Sequence, residues 1–331
     1  MTIGRGLAIA TGAILVAAAA LSGYFWYLVD GDRSHPAALT QVVIDRGSTL
    51  RQVAERLRTS GVISNVLSFR VLARLRGEET GVRAGEYRFE PHMTQTQVLR
   101  ALVTAGAQVA AWVTIPEGFT AAQIAARLQR DGVGPAGPFL SSFKRERLVV
   151  DGTRTVNLEG FLFPSTYLVP LAAAPSEVAS LMTDEFLKEL PPDAASRAHS
   201  LHVTVPQTVT VASLVEREAK SEVDRPRIAE VIYNRLRLGM PLQIDAAVEY
   251  ALPRYKSRLL FSDLKVDSPY NTYAHAGLPP TPIANPGKPS LEAALRPSKG
   301  ADLYYVYCGR GRHVFAGTLS EHLANVARCL R

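Results

Sequence analysis

The chain has 331 residues, with 37 Lys and Arg against 30 Asp and Glu, a net charge of +7 and 47% apolar residues. That length suits about two domains, and that apolar content supports folded cores rather than a disordered chain. The positive charge is scattered, with no dense basic tract and no aromatic-basic motif; this excludes an ordinary nucleic-acid binder and fits anionic surfaces such as lipid headgroups or cell-wall polymers.

The first element is an uncharged run from Gly6 to Val29 that follows Arg5. As a helix it spans about 36 Å, enough to cross a bilayer. Tyr24, Phe25, Trp26 and Tyr27 form an aromatic belt at its far end. A cleavable signal peptide is the competing reading, since Ala17–Ala20 and Ser22-Gly23 supply small residues, but the run is too long and aromatics follow the small residues. The expected layout is a tail over 1–5, an uncleaved anchor over 6–29 and a polar linker over 30–40.

From Gln41 the chain reads strand, turn, amphipathic helix, in VVIDRGSTLRQVAERLRTSGVI. The phrase returns as VTIPEGFTAAQIAARLQRDGV, pairing Ile44 with Ile115, Gly47 with Gly118, Thr49 with Thr120, Ala54 with Ala125, Leu57 with Leu128 and Gly61 with Gly132. Two copies are too few for a solenoid. Between them RAGEYRFEP predicts a strand and MTQTQVLRALVTAG a helix with a glycine end. The unit resembles the small βα unit of LysM-like glycan-binding modules. Phe119 and Tyr87 are aromatics that stack on sugars or fill the core, and core packing is the commoner use.

Residues 134–157 predict a helix and a mobile loop, and residues 175–203 a helix, a Pro-Pro turn and a short helix. Between them LEGFLFPSTYLV has the apolar density of a buried segment, yet it contains Glu159, which then needs a partner. It serves either as a buried salt bridge or as part of a cleft wall contacting sugar hydroxyls.

The most informative stretch is Val209–Asp245. A helix is expected from Thr208 to about Ser221, with Pro206 at its start. Val211, Leu214 and Val215 lie within about 60° of Glu218 on that helix, so Glu218 projects from the apolar stripe; Glu216 falls on roughly the opposite side. Burial keeps a carboxyl protonated to higher pH, as a general acid requires, although an arginine-paired structural carboxylate has the same pattern. A second helix follows, with Asp224 as the expected N-cap and Gly239 beyond its end. Met240 to Asp245 runs extended toward Gln243 and Asp245, and a short helix comes next. The Pro-, Gly- and Asn-rich loop SPYNTYAHAGLPPTPIANPG offers Tyr270, Asn271 and Tyr273 as glycan contacts or as plain turn residues. The chain ends as strand, turn, strand, helix, with Cys308 and Cys329 free to pair outside the membrane if their distance allows.

ASLVEREA, RPRIAEVIYNRLRLGMPLQID, SPYNTY, GLPPTPIANPG, HVF and the upstream LEGFLFPSTY resemble the endolytic murein transglycosylase family, MltG or YceG-like, from about residue 42 to the end. Two departures stand out: D-A-A-V after Ile244 where the family has D-P-T-V, and F-A-G-T after His313-Val where it has F-S-x-T. The resemblance implies an α+β chain with a transmembrane helix, a LysM-like module over 41–108 and a YceG-like catalytic domain over 109–331. It implies that Glu218, the second Glu of E-x-E, is the catalytic acid. That residue would protonate the bond between N-acetylmuramic acid and N-acetylglucosamine within a peptidoglycan strand, then act as base on the muramic C6 hydroxyl, leaving a 1,6-anhydro end. Implied too are a short cytoplasmic tail, a single-pass inner-membrane position with a periplasmic body, glycan polymerases such as penicillin-binding proteins as neighbours, and a role in ending nascent strands. Glu159, Gln243, Asp245, Tyr270, Asn271 and Tyr273 are the expected substrate contacts.

Other chemistries lack their motifs. There is no His-Glu-x-x-His, no Cys-x-x-Cys, no phosphate loop and no Gly-x-Ser-x-Gly, so neither metal nor cofactor is expected. Two further readings stay open: a membrane-anchored glycan-binding scaffold, and a two-acid hydrolase pairing Glu218 with Asp245 or Glu159.

Overall fold

The fold is taken from a computed structural model, which describes residues 3–31, 33–104, 107–171, 173–254, 256 and 259–329. Met1 and Thr2 of the expected tail, the side chain of Arg5, Asp32 of the linker, the helix-ending Gly106 and the last two residues lie outside the described set. The described residues form a mixed α+β fold that divides into two compact units. The first takes Met1–Val113, with Asp131–Val133 and Tyr167–Ala172; the second takes Thr114–Arg130, Gly134–Thr166 and Ala173–Arg331.

The first unit begins with α1 (Ile3–Trp26), which runs into one π-helical turn, Tyr27–Gly31. Thr11–Gly31 is long and apolar enough to cross a membrane, and Ile14, Leu15, Val16 and Leu21 stand exposed along it. Contacts tie the end of the expected anchor, and Pro36 in the expected linker, to the rest of the unit. Val29 is fully buried, Gln95 Nε2 donates to Leu28 O at 3.0 Å, and His92 N donates to Pro36 O at 2.8 Å. Apolar Val29 and buried Pro36 explain this, since each gains by leaving water.

Then come β1 (Thr40–Ile44), α2 (Leu50–Thr59), α3 (Val66–Leu75), β2 (Gly85–Phe89), α4 (Gln95–Thr104) and β3 (Gln108–Thr114). The sheet order is β1-β2-β3-β6, where β6 is Thr166–Pro170, and β2 pairs antiparallel with both neighbours. Tyr87, fully buried, stacks on Phe89 at 6.0 Å and donates its hydroxyl to Arg83 O, so it belongs to the core. The two sequence copies share their local geometry. Thr49 and Gln52 form a capping box on α2, and Thr120 and Gln123 form the same reciprocal bonds. Gly47 and Gly118 both have φ +75°, which suits only glycine before the cap.

The second unit contains α5 (Ala121–Arg130), α6 (Ala136–Arg145), a hairpin of β4 (Val149–Val150) and β5 (Thr153–Arg154), α7 (Pro175–Glu189), α8 (Ala194–Ser200) and α9 (Val205–Glu218). After them come α10 (Arg225–Arg237), α11 (Asp245–Ala251), α12 (Lys288–Leu295), a hairpin of β7 (Tyr304–Tyr307) and β8 (His313–Ala316), and α13 (Leu319–Cys329). Helix α9 is the centre. Residues 208–215 are all buried, and α8, α10, α11 and α12 pack around it. Thr204 caps it in a box with Gln207, and Pro206 fits its first turn. It stops at Glu218, three residues earlier than expected, because Ala219 turns extended. Asp224 does not cap α10: its carboxylate accepts instead from His313 N at 2.8 Å and faces His313 Nδ1 at 3.0 Å. A disulfide joins Cys308, which follows β7 in the hairpin turn, to Cys329 at the end of α13.

Asn285, fully buried, ties three loops together. Its Oδ1 accepts from Gly160 N and Leu162 N, while Nδ2 donates to Phe119 O and Glu159 Oε1. Gly160 has φ +90°, and a Cβ there would sit 2.4 Å from Pro282, so only glycine lets these loops meet. Replacing Asn285 by Ala leaves up to four buried polar groups unsatisfied. The expected result is a loss of about 3–5 kcal/mol of stability, read as a lowered midpoint in chemical denaturation.

Candidate active site

Glu218 is the last residue of α9, half-buried, on the wall of a groove of about 620 Å³. Its carboxyl is pushed up to about 7. Burial is the main cause, since desolvation penalises the charged form. The Tyr305 hydroxyl, donating to Oε2 at 3.2 Å, pulls the other way, and the nearby negative charges of Asp245 and Glu249 raise it further. The position adds its own effect: the carbonyl end of a helix carries partial negative charge and disfavours an anion.

Glu216, two residues earlier, points elsewhere. It accepts from Gly287 N at 3.1 Å and Ser290 Oγ at 2.8 Å, anchoring the start of α12, with Arg225 at 3.6 Å. The two carboxylates of E-x-E therefore divide the work: one fixes a neighbouring helix and one faces the groove.

Of the other expected contacts, Gln243, Asp245 and Tyr273 line the groove with Glu218. Gln243 takes φ +53° and donates its N–H to Thr272 O at 3.0 Å, in the extended stretch before α11. Asp245 Oδ1 accepts from Tyr273 OH at 2.6 Å. Three residues do not join them. Asn271 is fully buried, and its amide is spent on Leu264 O, Val266 O and Tyr273 N, so it shapes the loop. Tyr270 packs on the core beside Tyr250 and bonds Thr281 Oγ1 at 2.9 Å. Glu159 is buried and receives hydrogen bonds from Ala121 N, Tyr250 OH and Asn285 Nδ2 rather than pairing with an arginine. Burial pushes its carboxyl up to about 7 against those three donors.

Glu159 lines a second cavity, of about 440 Å³, with Leu140, Phe143, Lys144 and Tyr250. Arg217, Ala246 and Glu249 line both spaces, and the Arg217–Glu249 ion pair at 3.2 Å stands between them.

The sequence reading missed Tyr305, His313 and Arg235. The Tyr305 and His313 rings meet edge to face at 5.7 Å, and Asp224 holds the histidine from behind. Arg235 donates to Leu303, Pro241 and Leu242 carbonyls, joining the hairpin to the stretch that carries Gln243. The alternation in Tyr304–Tyr307, which puts Tyr305 and Tyr307 on one face, was the available signal. Among the described residues no cluster of His, Cys, Asp and Glu could hold a metal ion.

Comparison with known proteins agrees with this architecture. Residues 42–328 match the YceG-like family. The chain is 32% identical to an endolytic murein transglycosylase of Bacillus subtilis, over 91% of this chain and 89% of that protein. It is 30% identical to one of Streptococcus pneumoniae, over 95% of this chain but 63% of that longer protein. The crystal structure of a yceG-like protein from Listeria monocytogenes superposes with a TM-score of 0.63 at 30% identity, covering 87% of this chain and 99% of that one. With nearly the whole folded body matched in sequence, this chain belongs to the YceG-like family.

Proposed function

We propose that the chain is a membrane-anchored lytic transglycosylase that cuts within peptidoglycan strands, with Glu218 as general acid and then base. The observation that carries this reading is a half-buried carboxyl raised to about 7 on the wall of an open groove. The relatives named endolytic murein transglycosylases support the substrate.

In the first step Glu218 gives its proton to the oxygen between N-acetylmuramic acid and N-acetylglucosamine as the C1–O bond breaks. The muramic C6 hydroxyl then bonds to C1, and its proton returns to Glu218. No water enters, so no second carboxylate has to activate one. Tyr305 keeps one carboxylate oxygen oriented through the cycle, and the Asp245 charge favours the protonated starting state. The α1 helix supports a single-pass anchor, with the body on the wall side of the inner membrane and beside glycan polymerases whose new strands it would end. The LysM-like reading of the 41–108 module stays part of this proposal as a glycan contact.

A two-acid hydrolase is the second reading, favoured by one observation: Asp245 lines the same groove as Glu218. Glu159 is a poor second acid, because its oxygens are already committed to three donors.

Glu218→Gln is expected to lose cleavage of purified peptidoglycan by about 10²–10⁴-fold while still binding glycan, measured by mass spectrometry of the products. Anhydro ends mark the transglycosylase and reducing ends the hydrolase; unchanged cleavage removes Glu218 from the mechanism. The sign of the pH dependence follows from the raised carboxyl. Glu218 is protonated below about 7, so kcat/KM should fall as pH rises through that value. A rate flat from pH 5 to 9 contradicts the assignment. Tyr305→Phe removes a donor that favours the carboxylate. The alkaline limb should move to higher pH, with a loss of about tenfold in kcat, in a pH–rate series on the variant.

A further inference from the structure

Helix α3 carries an exposed apolar stripe that the catalytic reading does not use. Leu67, Val71 and Leu75 sit at i, i+4 and i+8, exposed by 67%, 37% and 68%. On a helix they fall within about 80° of arc. Arg70 and Arg74 occupy the adjoining flank, both exposed and neither in an ion pair among the described residues. The opposite side, with Ser68, Phe69, Leu72 and Ala73, is buried in the core of the first unit. Three large apolar side chains in a row on a helix that already has a core-facing side are not needed for packing.

The location suggests what covers them. Helix α3 packs against the Tyr27–Gly31 turn, where the membrane-crossing segment ends, and α4 packs there too. Val29 of that turn is buried in the same core as Phe69 and Leu72. Tyr24, Trp26 and Tyr27, the interface-seeking aromatics, are exposed on the same stretch. The turn is therefore fixed to the unit by packing, which puts α3 beside the end of the candidate membrane span.

We propose that α3 is an interfacial helix: Leu67, Val71 and Leu75 enter the headgroup–acyl boundary of the bilayer crossed by α1, and Arg70 and Arg74 meet anionic lipid phosphates. Apolar and basic flanks side by side on one short helix are what such a surface selects. The membrane thus holds the unit at two places, which fixes its rotation about the α1 axis as well as its height. This inference rests on the anchor reading of α1 and is independent of the chemistry at Glu218.

The test uses the full chain in nanodiscs of phosphatidylethanolamine and phosphatidylglycerol. The two native cysteines are tied in a disulfide, so single Val71→Cys or Leu75→Cys variants take the fluorophore NBD selectively. Co-elution of protein and nanodisc tests the anchor by itself. Blue-shifted NBD emission, quenched by lipids with a doxyl group just below the headgroups, is the expected result. Adding Arg70→Glu and Arg74→Glu should weaken that quenching, as should replacing the phosphatidylglycerol with phosphatidylcholine. The far-ultraviolet circular dichroism and thermal midpoint should stay at the wild-type values, which shows the variants fold. Water-like emission untouched by doxyl lipid overturns the proposal. Blue-shifted emission without lipid quenching also overturns it, since that marks a second copy or another protein on the stripe.

Discussion

One physical arrangement stands at the centre of the second unit: the Glu218 carboxyl is poorly hydrated and still lines a groove. Helix α9 produces it by being buried along residues 208–215 and stopping at Glu218. The extended Ala219 sets that limit, and the helix's own carbonyl end adds a field that resists ionisation.

The surrounding elements then divide into those that hold α9 and those that shape the groove. Glu216 fastens α12, Asn285 fastens the loops around Gly160 and Phe119, and neither faces the groove. Asp245, Tyr273 and the β7–β8 hairpin form the groove's polar wall, with Arg235 spending its donors on backbone carbonyls to keep hairpin and wall together. Buried polar groups here act as fasteners because each is almost fully hydrogen-bonded, which is what makes them tolerable in a core.

Much of this was legible in the sequence, and the exceptions have physical reasons. The orientation of Glu216 and Glu218 followed from helical spacing alone, and the repeat announced itself through matched glycines and caps. Boundaries were less accessible: nothing local forces Ala219 out of the helix, so three residues were misassigned. Asn271 and Tyr270 read as sugar contacts because amides and aromatics suit sugars, yet the same groups suit a Pro-rich loop that must satisfy its own carbonyls. Tyr305 lies 87 residues beyond Glu218 and meets it only through tertiary packing, with His313 against its ring, and no local pattern encodes that. Asp224 looked like a cap because Asp before Arg-Pro usually is one; long-range pairing with His313 outcompeted the local role.

The clasp between Cys308 and Cys329 has a consequence for where the molecule is complete. Sulfur–sulfur bonds do not persist among the reducing thiols of the cytosol. The strand bearing Tyr305 is thus tied to the final helix only where thiols are oxidised, and reduction would leave that wall of the groove held by packing and hydrogen bonds alone.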